Sequence, residues 1–204
     1  MANINATFGL RPYRMLGSGA NTNGDSTYLI QTAATAGTSS SIYCGAPVIP
    51  LTNGMIDIPA TANGGTVPIL GVFLGCNYID LNGKPRWSPY WPGTSAVYAN
   101  SIATATVVSN PDQLFLINTD AAAADSIIHA NANFATAITG SAITGSYAKL
   151  AVSTVNTTNT LNLRIVGFED TPANNDATVA GRLAIVLLNN HFYRYNANGT
   201  GAGI

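Results

Sequence analysis

The sequence predicts an all-β protein whose main part folds as one barrel-like or sandwich domain. Three observations favour this class. Short segments rich in β-branched residues alternate apolar and polar side chains with a period of two. Asn-Gly dipeptides separate several of these segments and supply the positive φ angles that tight turns need. Glu and Lys, which usually cover the solvent face of a helix, together number three in 204 residues.

Strand-like segments follow one another along the chain with turn signals between them. Asn53-Gly54 lies between two apolar runs and predicts a hairpin, and Asn23-Gly24, Asn63-Gly64 and Asn82-Gly83 predict further tight turns. The ten predicted strands are Thr27 to Thr32, Ser41 to Ile49, Met55 to Ile58, Val67 to Tyr78, Ile102 to Val108, Gln113 to Asn118, Ser126 to Phe134, Leu150 to Val155, Thr160 to Phe168 and Arg182 to Tyr195.

One segment also has a helical interpretation. Ala121 to Ile128 contains a run of four alanines, and Asp120 before it has the side chain of a helix N-cap. One or two helical turns are therefore expected there, although the same residues fit an extended strand.

The two ends of the chain differ from its body. Residues 1–26 carry Arg11 and Arg14 with few strand signals, which predicts an extended N-terminal arm; residues 27–195 form the β-domain and 196–204 a flexible tail. In the alternative interpretation, the arm folds back over its own barrel or supplies an edge strand. Met1 to Leu16 lacks the apolar block of a signal peptide, and we expect no membrane span.

The charge content is unusually low. Charged residues make up 8% of the chain, with 8 basic and 9 acidic side chains and a net charge of −1, whereas about a quarter of the residues are charged in a typical soluble domain. A surface of neutral polar side chains suits a protein that assembles with others. Neither nucleic acid nor a membrane is expected as a partner, because no sequence-wide basic field is present.

The residues that usually carry catalysis are scarce. His129 and His191 are the two histidines, both in strand-like apolar runs, and Glu169 and Asp170 are neighbours whose side chains would point to opposite faces of a strand. A carboxylate pair from distant strands stays open as an alternative. Cys44 and Cys76 lack metal-site spacing and are interpreted as small apolar core residues. We therefore expect no enzymatic activity, no cofactor and no metal.

Two groups of residues are candidates for binding a partner. Large side chains on an unstructured arm have no core of their own to enter, which favours an interface role. The prolines around the second group exclude it from a central strand, and its aromatic rings suit a protein partner, a sugar ring or a plug in one end of the barrel. The candidates are Phe8, Leu10, Arg11, Tyr13 and Arg14 in the arm, and Trp87, Tyr90 and Trp91 in the aromatic segment.

Several segments, taken in their order, resemble the capsid decoration (cement) proteins of tailed bacteriophages. In Tyr43 to Val48 this chain has Ala46 where such proteins often have Asp, which puts any role of that acid in doubt here. The segments are Met1-Ala2-Asn3, Phe8-Gly9-Leu10-Arg11-Pro12, Tyr43-Cys44-Gly45-Ala46-Pro47-Val48, Ile69-Leu70-Gly71-Val72-Phe73-Leu74-Gly75, Asn110-Pro111-Asp112 to Phe115, Leu163-Arg164-Ile165-Val166-Gly167 and Asn189-Asn190-His191-Phe192-Tyr193-Arg194.

This resemblance implies a non-enzymatic structural protein. Its partner would be the major capsid protein, to which it would bind on the outer capsid surface of the virion after the shell has expanded in the host cytoplasm. The expected self-association is a homotrimer, with a dimer as the alternative. The aromatic segment supports a different class, a carbohydrate-binding or receptor-binding virion module.

Overall fold

A computed structural model of the protein describes residues 3–17, 25–30, 41–60, 67–98, 101–135 and 138–194. The predicted all-β class is confirmed, and in these ranges helical structure is limited to short 3-10 turns. The strands are β1 (Arg11–Met15), β2 (Asp25–Ile30), β3 (Ile42–Tyr43), β4 (Pro47–Pro50), β5 (Met55–Asp57), β6 (Gly71–Ile79), β7 (Pro85–Ser88), β8 (Tyr90–Trp91), β9 (Thr104–Val108), β10 (Gln113–Asn118), β11 (Asn131–Ala132), β12 (Gly140–Ser141), β13 (Gly145–Ser146), β14 (Leu163–Phe168) and β15 (Leu183–Leu188).

Five strands close into a small barrel. Their order is β4, β5, β2, β9 and β6, and a second pairing between β4 and β6 completes the ring. Every contact around the ring is antiparallel except the parallel pair of β2 and β5. The far end of β6 continues beyond the ring and pairs with β7, which is the edge strand of this sheet among the described residues. The barrel prediction is thus confirmed.

A second sheet has the strand order β1, β10, β15, β14 and β11. One of its faces packs on the barrel and contributes Phe115, Ile165 and Val186 to a single core that also contains Phe73 and Val107. The opposite face carries a separate apolar cluster, called here the outer cluster, whose members are Leu114, Leu116, Leu183, Ile185 and Leu187. Strands β10 and β15 are therefore buried on both faces.

The short-range turn predictions hold where the structure describes them. Asn53-Gly54 connects the antiparallel strands β4 and β5, and the Asn53 side chain accepts a hydrogen bond from the Met55 amide at 3.0 Å. Asn82-Gly83 connects β6 and β7, where the Asp80 carboxylate accepts hydrogen bonds from the Asn82 and Lys84 amides. Asn23-Gly24, Asn63-Gly64 and the predicted tail 196–204 lie outside the described residues.

Three local predictions are wrong. The segment expected as a strand from Leu150 to Val155 contains a 3-10 turn over Val152–Thr154. The segment from Ser126 to Phe134 forms a 3-10 turn at its start and a strand only at Asn131–Ala132. Asp120 does not cap the 3-10 turn at Asp125–Ile127. Its carboxylate instead accepts a hydrogen bond from the Val152 amide at 2.9 Å.

The N-terminal segment is not a separate arm. Residues 11–15 form an edge strand on β10, and the Asn3 side chain donates hydrogen bonds to the carbonyls of Asp176 and Val179. The expected boundary between residues 26 and 27 is therefore corrected, since the described part of this segment belongs to the β-domain. The alternative in which it supplies an edge strand is the observed one.

Candidate interaction surface

A close crossing of two backbone segments fixes the position of the N-terminal residues. Gly9 and Gly45 both have positive φ, at 69° and 83°, and a Cβ on either would lie 2.4 Å from a carbonyl oxygen of the other segment. The Leu10 amide donates a hydrogen bond to the Gly45 carbonyl at 2.9 Å. Only glycine fits both positions, and the crossing directs Leu10 into the core.

The five N-terminal candidates have different environments. Leu10 is 1% exposed within the main core, so it is removed from the candidate contact surface. Phe8 and Tyr13 are half-buried and pack on the outer cluster, whereas Arg11 and Arg14 are exposed. Four of the five predicted contact residues therefore lie at the surface of the domain. The fifth, Leu10, is a core residue.

The cations of this segment lie over its aromatic rings. The Arg11 guanidinium is 4.9 Å from the centre of the Phe8 ring, and that of Arg14 is 5.6 Å from the centre of the Tyr13 ring. The Glu169 carboxylate beside the Tyr13 phenol, together with burial, raises the pKa of this phenol. The aliphatic stems of the arginines can cover apolar surface while their charged ends stay in water.

Strand register places a third arginine on the same face. Arg14 is opposite Leu114, Leu114 is opposite Leu187, and Leu187 is opposite Arg164. Directly opposed residues of antiparallel strands share a face, so these four side chains form one row across the sheet. Arg11 begins the neighbouring row, opposite Leu116. We call the surface formed by Arg11, Arg14 and Arg164 over the outer cluster the arginine face.

An apolar groove borders the arginine face. Its volume is ≈ 390 Å³, and Phe8, Arg11 and Pro12 form one wall. Leu74 and Pro89 of the barrel side form another, and the tip of the β12–β13 hairpin, with Ile143 94% exposed, forms a third. A smaller pocket of ≈ 210 Å³, lined also by Ile4, Asn118 and Leu183, includes Phe8 and Arg11 as well. Phe8 and Arg11 therefore line both the groove and the smaller pocket.

The aromatic segment is divided between core and surface. Trp91 is 1% exposed and meets the Tyr78 ring edge to face, so it is also removed from the candidate contacts. Tyr90 is half-buried and stacks on Tyr43. Trp87 is 64% exposed on the edge strand β7, and its indole lies against Gly75, where a Cβ would come within 3.0 Å of the ring. Of the three, Trp87 alone presents an aromatic surface to solvent.

The two histidines have different environments. His191 is 3% exposed, and its Nδ1 accepts a hydrogen bond from the Tyr193 amide at 3.1 Å. Burial, with a smaller effect from the Arg194 guanidinium, lowers the pKa of His191 to about 4. His129 lies on the surface at a left-handed backbone position, φ 73°. His191 therefore acts as a structural residue at the junction of the barrel and the second sheet, where it forms a bridge with Ile69.

Of the two cysteines interpreted as core residues, Cys76 is buried and Cys44 is only half-buried. Cys76 is fully buried, and burial raises the pKa of its thiol to about 12. Cys44 is half-buried and lines the groove, and burial raises its pKa as well. Within the described ranges, His, Cys, Asp and Glu form no group of three suited to a metal ion. No helix in those ranges is both long and apolar enough to cross a membrane.

Sequence reasoning missed two components of this surface. Arg164 was assigned to a strand but not to a site; its signal is a lone charge between Leu163 and Ile165, although its distance from Arg14 depends on strand order. The hairpin tip at Ile143 had no distinguishing pattern.

In the comparisons, no protein-family model matched the chain, and no curated protein or solved structure matched it significantly.

Proposed function

We propose that the chain is a structural virion protein that binds the outside of a tailed-phage capsid and stabilises contacts between capsomers of the major capsid protein. The observation that carries this proposal is the arginine face beside an apolar groove, both formed by the segment that includes Phe8 and Arg11. Arg and aromatic residues around an apolar centre are typical of protein interfaces. The ordered segments that resemble decoration proteins point to the same function.

The physical properties of the chain suit this role. A decoration protein stabilises a shell by mass action, because it binds the assembled lattice and not the separated subunits. A net charge of −1 limits repulsion between copies that are crowded on one surface. Self-association as a trimer, or alternatively as a dimer, would let one assembly contact several capsomers, so that modest individual contacts add up to strong attachment.

A binding experiment with phage shells tests the proposal. Purified protein is mixed with expanded capsids that lack their decoration protein, and bound protein is measured by co-sedimentation. We expect saturable binding in a fixed ratio to the capsid protein and a higher melting temperature of the shell. A shell that binds none of the protein at micromolar concentration would exclude this function.

A second candidate function is a carbohydrate-binding or receptor-binding virion module, and the exposure of Trp87 favours it. An indole that lies on Gly75 with 64% of its surface exposed is a flat, ordered platform for a sugar ring. A glycan array probed with the wild type and with Trp87→Ala tests this. Binding lost in the variant supports the module, whereas an array with no signal contradicts it. Trp91→Ala is unsuitable, because Trp91 is a core residue.

A further inference from the structure

The arginines of the described chain fall into two groups. Three of them form ion pairs: Arg86 with Asp80, Arg182 with Asp125 and Asp170, and Arg194 with Asp112. Arg11, Arg14 and Arg164 have no carboxylate within ion-pair distance among the described residues, and Arg164 Nε instead donates a hydrogen bond to Asn131 at 3.0 Å. The three arginines without an acidic partner are the three that share the arginine face.

This grouping has a clear spatial form. Arg14 and Arg164 belong to one row across the sheet and lie ~14 Å apart at the usual strand spacing, with Leu114 and Leu187 between them, and the row continues to Asn131 on β11. Arg11 lies at the start of the next row and forms part of the groove wall. All three side chains are exposed. Cations therefore lie over a buried apolar row and adjoin an apolar groove.

The position of β1 at the edge of the sheet adds a geometric element. Among the described strands β1 pairs with β10 alone, so no described strand occupies the other side of its backbone, where an extended segment could be added. Arg11 and Arg14 project from this same strand. A second extended chain beside β1 would have its acidic side chains within reach of both guanidinium groups.

From these observations we infer that the arginine face binds an extended acidic protein segment, whose carboxylates pair with Arg11 and Arg14 and one of whose apolar side chains enters the groove. Arginine is suited to this pairing because its planar guanidinium binds a carboxylate through two parallel hydrogen bonds. The inference rests on the proposed function, in which the acidic segment belongs to the capsid protein.

The surroundings favour a protein segment over nucleic acid. A nucleic-acid surface needs a run of cations that neutralises successive phosphates, and here only three arginines lie over an apolar cluster that is itself buried. The Glu169 carboxylate also lies on this surface, beside Tyr13, so the surface does not present the uninterrupted positive charge of a nucleic-acid interface. The apolar groove has no role in binding phosphates, whereas it accommodates the side chain of a peptide.

A synthetic peptide tests the inference without any phage component. The probe is a short peptide of alternating glutamate and serine with one central leucine, and its control has glutamine in place of each glutamate. We expect the full chain to bind the acidic peptide and not the glutamine peptide. The double variant Arg11→Gln/Arg14→Gln should weaken binding at least about tenfold, because two charge-assisted pairs are lost.

Two control variants separate this effect from general charge and from misfolding. Lys84→Gln removes an exposed cation from the hairpin between β6 and β7, far along the chain from the arginine face, and should leave the affinity unchanged. Arg11→Lys/Arg14→Lys keeps the charges without the planar groups and should bind at an intermediate level. Melting temperatures of all variants establish that each protein is folded.

Several results would overturn the inference. Equal binding of the acidic and glutamine peptides would do so, as would full binding by the double glutamine variant. Tighter binding of a single-stranded oligonucleotide would assign the face to nucleic acid, and self-association lost in the double variant would assign it to a second copy.

The same variants distinguish this inference from the proposed function when they are mixed with expanded capsids. If the wild type and the double variant attach equally well, the inference fails and the proposed function stands. If neither attaches but the acidic peptide binds through Arg11 and Arg14, the proposed function fails and the face still recognises an acidic segment.

Discussion

At the scale of single residues, several of the segments that resemble decoration proteins contact one another through their backbones. Gly9 and Gly45 come from two such segments and meet at the backbone crossing. Ile69 and His191 come from two others, and the Ile69 amide bonds the Asn190 carbonyl at 2.8 Å. A short pattern can therefore recur because the backbone requires it.

The crossing makes a specific stability prediction. We expect Gly45→Ala to lower the free energy of unfolding by about 3 kcal/mol or more, because a left-handed backbone and a contact of 2.4 Å must both be accommodated. Gly54→Ala is the matched control, since its φ is 79° but nothing lies within 4 Å of the added Cβ; it should cost about 1 to 2 kcal/mol. Equal losses in urea unfolding would show that the crossing imposes no close contact.

His191 predicts how stability depends on pH. Its pKa falls from 6.5 to about 4 on folding, so the unfolded chain binds a proton more readily than the folded one. The stabilisation is complete above pH 6.5, decreases as the pH falls from 6.5 towards 4, and the loss amounts to about 3 kcal/mol. His191→Asn keeps an acceptor for the Tyr193 amide and should flatten this part of the profile. A variant with an unchanged profile would assign the acid sensitivity to other groups.

At the scale of elements, local signals were sufficient for some predictions and insufficient for others. The strand Gln113–Asn118 and the hairpin at Asn53-Gly54 were predicted correctly, because alternation and turn chemistry are local properties. Val152–Thr154 resembles a strand by composition, yet Asp120 from a distant loop bonds the start of its 3-10 turn. The N-terminal edge strand was predicted only as the alternative to a separate arm, because its stability comes from β10 and the outer cluster, which no local pattern reveals.

The N-terminal strand changes the outcome expected from truncation. Considered as a separate arm, residues 2–16 could be deleted without loss of the fold. The structure predicts the opposite, because deletion takes Leu10 out of the core and uncovers Leu114 and Leu116 of the outer cluster. We expect a protein that aggregates or loses cooperative thermal unfolding. A truncated protein that melts like the wild type would contradict the packing described for β1.

The aromatic segment allows a paired test at the same scale. Trp91→Ala should lower the free energy of unfolding by about 3 to 5 kcal/mol, because it leaves a cavity beside Tyr78. Trp87→Ala should change it by less than about 1 kcal/mol, since the indole is mostly exposed. Chemical denaturation of both variants measures the difference. Similar losses would mean that Trp87 is a structural residue and not a binding platform.

At the scale of the whole molecule, the low charge content and the arginines that lack an acidic partner are two parts of the same surface pattern. Only 8% of the residues are charged, while the arginines without acidic partners in the described chain lie on one sheet face that includes Arg11 and Arg164. Composition alone predicted a protein that assembles with others. It could not predict which face makes the contact, because that depends on the register of four strands.

The most direct test of the proposed capsid role is electron cryomicroscopy of expanded, undecorated phage shells incubated with the protein. We predict additional density at every equivalent position on the outer surface, bridging neighbouring capsomers, with the N-terminal strand and Arg11 against the capsid protein. Shells that are indistinguishable from untreated ones at saturating protein concentration would contradict this role.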